Sequence, residues 1–293
     1  MSHFAVMVIG QDVEKQLAPY HEFECTGRDD QYVKNIDVTD ECRKHGLDWY
    51  GLDENTVTDE SEVELDGVHK YGYAVVDSEG LLVKAVNRTN PNKEWDWYQV
   101  GGRWSGFLKL KQDAAGSLGG RGLTGSCAND GDGRADVAVK GAIDFEGMRD
   151  EAGAKAAANW DKAAEAKIAS GFAAETTWDA WQVVRERHPG NIEAAREEYH
   201  SQEVMRAVKK ALDLWDGTDK FLTPREEFIK QARESALVLF GVVKDSKWFA
   251  KGEMGWFGMS TDDMTQPEWN RKVNELLDEL PDDTLITVVD CHI

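Results

Sequence analysis

FAVMVI, residues 4–9, is a continuous apolar run ended by a glycine, and the organisation of the chain follows from it. After this run, Val13 and Leu17 are four positions apart, as on one face of a short helix. The C-terminal part reverses the order, because a helix signal at Pro267 precedes the β-branched run TLITVVDC at residues 284–291. Both terminal runs are apolar enough to be central strands. We therefore expect a β-α opening and an α-β closing.

Between these ends the sequence carries further strand patterns separated by turn residues. They occur at residues 71–76, 81–86, 97–100, 107–110, 236–243 and 248–250. DSEG at 77–80 is a hairpin signature between the first two, and Gly101-Gly102 lies between the next two. This order predicts an α+β protein with a ferredoxin-like antiparallel sheet body, formed by residues 1–145 and 236–293.

Two segments interrupt the strand pattern. Residues 112–135 are rich in glycine and small polar residues, which offset little of the entropy of ordering, and we predict a mobile loop there. From Glu146 the composition becomes alanine-rich, charged and amphipathic, and four helices are predicted before residue 236. We interpret residues 146–235 as a helical insertion or arm.

Charge is distributed unevenly along the chain. The formal net charge is -21, and residues 22–66 contain 15 acidic residues against four basic ones. Such a segment repels phosphate backbones and attracts cationic surfaces, so we expect binding to a basic groove on a protein and no direct nucleic-acid binding. Plain solvation of the charges is the alternative, and the sequence leaves open whether the segment is ordered before binding.

The predicted partner-binding residues are six acids and two aromatic anchors in a glycine-flanked apolar stretch. These residues are Asp53, Glu54, Asp59, Glu60, Glu62, Glu64, Trp256 and Phe257. Apolar residues that interrupt the acidic run could anchor it further, and they are Trp49, Tyr50, Val57, Val63 and Leu65.

The densest unusual stretch is KEWDWYQVGGRWSGF at residues 93–107. Trp95, Trp97 and Trp104 could stack a base around the Gly-Gly turn, and Arg103 could hold a phosphate or carboxylate. This arrangement predicts, as an alternative function, a nucleotide-binding protein that is either a sponge or an enzyme. Aromatic residues in strands are more often core or cross-strand pairs.

Cofactor signals are weak. GRGLTG at residues 120–125 matches G-x-G-x-x-G, but polar residues and further glycines replace the flanking helix that holds a pyrophosphate. Asp130, Asp132 and Asp136 resemble part of a calcium loop without its final bidentate carboxylate, and a loop-borne metal site in an enzyme is a third interpretation. We expect a solvated turn instead, and no cofactor.

Zinc and nucleophile signals are equally incomplete. Cys25, Cys42 and His45, with His21 nearby, contain one tight ligand pair where structural zinc sites usually have two. We therefore predict buried thiols and surface histidines rather than a metal site. Cys291 and His292 should lie near His3 if the terminal strands pair, but no third triad member is evident.

The chain carries no leader-like start, and no apolar run approaches the length of a membrane span. Its four cysteines are far apart in a sequence long enough to build a core, so a disulfide framework is unnecessary. We expect a protein of a reducing cytoplasm that does not bind membranes.

Three stretches resemble proteins encoded by tailed bacteriophages, most of them of unassigned function. They are MSHF with the strand VMVIG, QLAPY at 16–20 and WDWYQVGGRWSG at 95–106. The resemblance covers residues 1–20 and 93–111 and little of the helical insertion.

This resemblance implies a phage origin and, more specifically, similarity to the Gabija anti-defence proteins, which wrap a nuclease-ATPase assembly as oligomers and block its access to DNA. The implied protein is a non-enzymatic, homo-oligomeric inhibitor of a DNA-handling defence complex in the host cytoplasm. No site residue is carried over from that family.

Overall fold

The two apolar runs near the chain termini form adjacent antiparallel strands in the computed structural model, which describes residues 2–126, 128–129, 131–215, 217–254 and 260–293. The strands are β1 (His3–Ile9), β2 (Lys34–Asp37), β3 (Thr56–Val57), β4 (Gly72–Val76), β5 (Leu82–Thr89), β6 (Trp97–Trp104), β7 (Leu108–Lys109), β8 (Gly120–Ser126), β9 (Arg134–Ala135), β10 (Val137–Val139), β11 (Gly241–Lys244), β12 (Lys247–Ala250), β13 (Gly252–Met254), β14 (Ser260–Asp262) and β15 (Leu285–His292). The α-helices are α1 (Val13–Leu17), α2 (Phe23–Thr26), α3 (Thr39–His45), α4 (Phe145–Ala169), α5 (Trp181–Arg187), α6 (Ile192–Ser201), α7 (Glu203–Ala211), α8 (Arg225–Ser235) and α9 (Gln266–Glu279).

The main sheet has the strand order β12-β11-β1-β15-β6-β8, and β10 pairs with β15 beside β6. Strand β1 pairs with β15 along its whole length, from His3 opposite His292 to Ile9 opposite Ile286. The predicted β-α opening, α-β closing and α+β class are confirmed. The ferredoxin-like antiparallel body is not confirmed, because β1 pairs with β11 and β6 pairs with β8 in parallel, which makes the sheet mixed.

Strands β1 and β15 are apolar at consecutive positions, and successive side chains of a strand point to opposite faces. Both faces of the main sheet are therefore buried. Met7 and its neighbours on one face pack with Trp269 and Leu277 of α9. Phe4 and its neighbours on the other face pack with Leu17 of α1. Helix α9 confirms the helix predicted near Pro267, and it begins with a capping box formed by Thr265 and Glu268.

A second sheet, in the order β2-β5-β4-β3, contains the acidic segment. We call residues 22–94 the acidic lobe. Its small core contains Val38, Cys42, Leu52 and Ala85, and helix α3 packs on β5. The predicted hairpin is confirmed, since β4 and β5 pair antiparallel on either side of DSEG.

Residues 112–135, where the sequence predicts a mobile loop, contain β8 and β9. Strand β8 lies parallel to β6, with Gly101 opposite Gly120. A Cβ at Gly119 would overlap the backbone of Val100 in β6. Glycine here permits close backbone approach, and Gly101-Gly102 lies within one continuous strand instead of between two.

The helical segment between 146 and 235 packs around its own core. Helix α4 is 25 residues long and reaches from the body into this core, where α5, α6 and α7 contribute Val184, Ala195 and Met205. The sequence predicts four helices here, and the described residues form five, α4 to α8, since the chain is extended at Gln202 between α6 and α7.

Replacing Gly102 tests how closely β6 packs against β15 in the main sheet. Its φ is +55°, and a Cβ there would overlap the side chain of Asp290. We expect Gly102→Ala to lower the free energy of unfolding by about 2–4 kcal/mol, because overlap adds to backbone strain. Gly80→Ala is the matched control, since Gly80 has a φ of +80° with nothing within 4 Å. That control should cost about 1 kcal/mol. Equal losses in urea unfolding would contradict this account.

Candidate functional site

The stretch at 93–107 is organised by two buried aspartates rather than by a ligand. Asp290 accepts a hydrogen bond from the backbone N–H of Arg103 at 2.9 Å and lies 2.8 Å from Nδ1 of His3. Asp136 accepts hydrogen bonds from the N–H groups of Gly106 at 2.6 Å and Gly119 at 2.8 Å. Such N–H donors stabilise a carboxylate away from water. Asp136 is therefore a structural residue that joins two turns.

The structure does not bring the four predicted ligand-platform residues to one surface. Trp95 is 6% exposed, and its indole N–H donates to the carbonyl of Leu17 at 3.0 Å. Trp104 packs against the core on the α9 side of the sheet, whereas Trp95 belongs to the core on the other side. Arg103 is exposed, and Trp97 is 47% exposed. Only Trp97 retains an accessible ring of the kind that stacking requires.

The six predicted acids are all exposed on the acidic lobe. Glu60 is neutralised within the lobe, because it pairs with Lys84 and accepts a hydrogen bond from Tyr73 at 2.6 Å. These hydrogen bonds, first from Lys84 and then from Tyr73, lower the pKa of Glu60. In the part of the chain that the structure describes, the other five form no ion pair, and they are Asp53, Glu54, Asp59, Glu62 and Glu64.

Basic side chains of the acidic lobe form ion pairs with acids other than these five. Arg88 binds both carboxylate oxygens of Asp29 at 2.9 and 3.0 Å, and Lys93 lies 3.1 Å from both Glu22 and Glu24. Residues 47–66 contain eight acidic and no basic residues. We call this stretch the acidic face.

An exposed aromatic ring lies within the acidic face. Trp49 is 66% exposed and stacks on His45, with ring centroids 5.0 Å apart. Val57, another predicted anchor, is buried and belongs to the lobe instead. The proposed anchors Trp256 and Phe257 lie outside the residues that the structure describes. Trp49 is therefore the aromatic anchor that the described surface offers beside the carboxylates.

A second group of chemically active side chains lies where the acidic lobe meets the end of the main sheet. Glu22, Cys25 and Asp96 bring one ligand atom each within 4.8 Å of one another. Nδ1 of His292 is 2.6 Å from Asp96, and the rings of His292 and His3 are 4.9 Å apart. The sequence correctly placed His292 near His3, but it gave no signal that joins Cys25 to Asp96.

The prediction of buried thiols and surface histidines holds for Cys42 but not for Cys25, which is exposed, nor for His21, which is buried. Cys42 is buried in the lobe core, His45 stacks on Trp49, and Cys25 lies instead beside Glu22 and Asp96.

The structure does not bring the aspartates of the calcium-like loop to shared partners. Asp132 accepts a hydrogen bond from the N–H of Asn129, whereas Asp136 binds the N–H groups of Gly106 and Gly119. Asp130 lies outside the described residues.

The described cysteines are not activated as nucleophiles. Burial, followed by a hydrogen bond to Glu22 and the charges of Glu22, Asp96 and Glu24, raises the pKa of Cys25 to about 11. Burial also raises the pKa of Cys42, and it raises that of Cys291 well above its usual value. A protonated thiol is a poor nucleophile.

A pocket of about 390 Å³ opens beside this group, lined by His3, Cys25, Asp96, Trp97 and His292. The carboxylates of Asp96 and nearby Glu22 oppose an anionic ligand. The geometry beside Trp97 therefore does not favour the nucleotide-binding alternative.

Comparison with protein-family models, with curated proteins and with solved structures finds no match to this chain. Among the described residues, no helix has both the length and the apolar character needed to cross a membrane.

Glu94, next to Trp95, makes the fold sensitive to pH. Burial, with a smaller effect from the charge of Glu253, raises the pKa of its carboxyl to about 7. Between about pH 4.5 and 7 the Glu94 carboxyl therefore keeps its proton in the folded state, whereas in the unfolded chain it releases that proton near its ordinary pKa of 4.5. This contribution to stability is complete below about pH 4.5 and is lost as the pH rises through about 7.

Replacing Glu94 by glutamine should remove that loss. We expect Glu94→Gln to exceed the parent in unfolding free energy by about 1 kcal/mol above pH 7, after allowance for solvent screening, and to match it near pH 4. Glu253→Gln should give a smaller gain, because it removes only the secondary cause. Urea unfolding across this pH range measures both. A constant difference at every pH would show that Glu94 is not the titrating group.

Proposed function

We propose that this protein is a phage-encoded, non-enzymatic inhibitor that binds a DNA-handling defence complex in the host cytoplasm and blocks its access to DNA. The acidic face, whose residues 47–66 contain unpaired carboxylates and the exposed ring of Trp49, is the observation that carries the proposal. The sequence resemblance to Gabija anti-defence proteins makes a Gabija-type nuclease-ATPase assembly the target we would test first.

Unpaired carboxylates suit this function for an energetic reason. An acid that already has an internal partner loses that ion pair when it meets a lysine or arginine on another protein. Asp53, Glu54, Glu62 and Glu64 have no such internal partner among the described residues. Their attraction to a basic groove raises the association rate, while an aromatic side chain buried at the centre of the interface slows dissociation.

The two edges of the main sheet support the homo-oligomeric part of the proposal. β12 and β8 are the outer strands, and each carries an exposed apolar residue, Phe249 on β12 and Leu123 on β8. An unpaired strand edge presents backbone donors and acceptors to another chain.

The electrostatic part is tested by comparing two variants that have the same total charge but carry their substitutions at different positions. In one variant Asp53, Glu54, Glu62 and Glu64 become lysine, and in its control Glu165, Glu197, Glu275 and Glu279 become lysine. All eight are exposed and form no ion pair within the described residues. We expect the first variant to bind the purified defence assembly on the order of 100-fold more weakly, mainly through slower association, and the control to bind nearly as the parent does.

The salt dependence of association and the dissociation rate of a Trp49→Ala variant test the same interface independently. Rising salt should slow association of the parent and have little effect on the acidic-face variant. Trp49→Ala should mainly accelerate dissociation. Inhibition of DNA cleavage should follow binding across the series, and light scattering reports whether each variant keeps the parent's oligomeric state. Equal binding by the two charge variants, or inhibition that persists without binding, would overturn the proposal.

A further inference from the structure

We propose that Glu22, Cys25 and Asp96 form a Zn²⁺ site that fixes the acidic lobe to the main sheet. Glu22 and Cys25 lie at the start of the lobe, whereas Asp96 directly precedes β6 of the main sheet. Residues 22 and 96 are far apart in sequence, yet the three ligand atoms lie within 4.8 Å of one another. Among the described residues this is the group that has such geometry.

The donor atoms select the metal. Zinc binds cysteine sulfur at about 2.3 Å and carboxylate oxygen at about 2.0–2.2 Å in tetrahedral geometry, which places ligand atoms about 3.3–3.7 Å apart. The three ligand atoms, within 4.8 Å of one another, would have to approach by roughly 1 Å to reach this geometry. A thiolate favours zinc over magnesium or calcium, which prefer oxygen ligands alone.

Two contacts hold Asp96 in place for this role. Its backbone N–H donates to the carbonyl of His292 at 2.9 Å, and its carboxylate is 2.6 Å from Nδ1 of the same histidine. His292 is in turn held by the ring of His3, its partner in the β1–β15 register. Ligating carboxylates in metal sites are usually oriented by such outer hydrogen bonds. His292 is therefore a positioning residue rather than a ligand.

The electrostatics of the group also fit a cation. Glu22, Glu24 and Asp96 surround the thiol of Cys25, and Lys93 supplies the nearby positive charge, 3.1 Å from Glu22 and from Glu24. One oxygen of Glu24, Oε2, is buried without a hydrogen-bond partner. Zinc would compete with Lys93 for Glu22, and Lys93 would remain paired with Glu24.

Binding must displace one proton. The thiol of Cys25 loses its proton to solvent as the sulfur–zinc bond forms, while the two carboxylates bind in their ionised state. Zinc affinity should therefore fall tenfold for each unit by which the pH is lowered in the neutral range. No redox change accompanies this step.

The test uses the full-length protein dialysed against EDTA and then titrated with Zn²⁺ or Co²⁺. We expect one ion per chain by calorimetry, with proton release, and a rise in melting temperature at saturating zinc. Cobalt should give a thiolate-to-metal charge-transfer band with tetrahedral d–d absorption. Cys25→Ser should abolish the charge-transfer band and weaken zinc at least tenfold. Cys42→Ser, which alters a buried thiol elsewhere, should retain both the band and the affinity.

Two further variants test the roles of Lys93 and Asp96. Lys93→Gln should tighten zinc binding, because Glu22 loses its competing cation, whereas Asp96→Asn should weaken it at least tenfold. Urea unfolding without metal checks that each variant folds like the parent. The proposal is overturned if zinc does not bind at one ion per chain, if Cys25→Ser binds as tightly as the parent, or if calcium stabilises the protein equally. None of these outcomes depends on whether the protein inhibits a defence complex.

Discussion

The pairing of β1 with β15 is the constraint on which the rest of the structure depends. It buries both terminal strands at the centre of the main sheet and places Asp290 beneath the glycine pair of β6. A buried carboxylate needs hydrogen-bond donors, and the backbone N–H of Arg103 and Nδ1 of His3 provide them for Asp290. The glycines at 101 and 102 are required because any side chain there would occupy the space of Asp290 or of Asp136. A stretch that resembles a ligand platform is thus explained by packing.

The acidic lobe shows how pairing determines which charges a partner can meet. Its cations bind acids near the body, such as Glu22 and Asp29, and leave the acidic face without internal counter-charges apart from Lys84. Formal charge alone does not distinguish these two populations of acids. The distinction matters for function, because ion pairs already made within the lobe contribute little to recognition.

The proposed inhibitor function and the proposed zinc site concern different parts of the same lobe. One relies on the exposed acidic face, and the other on the junction where Cys25 meets Asp96. A metal at the junction would hold the lobe at one angle to the sheet, so the face would be presented rigidly. Rigid presentation reduces the entropy lost on binding, which is how the second property would serve the first.

The sequence alone determined the elements whose signals are local. Strands β1 and β15, helix α9 and the β4–β5 hairpin follow from apolar runs, periodicity and turn residues within a few positions of one another. Tertiary structure decided what depends on distant partners: β8 became a strand because β6 lies alongside it, and Trp95 became core while Trp97 stayed exposed. The meeting of Cys25 with Asp96 belongs to this second kind. Local patterns fix backbone conformation, whereas burial and ligand geometry arise only when segments far apart in the chain pack together.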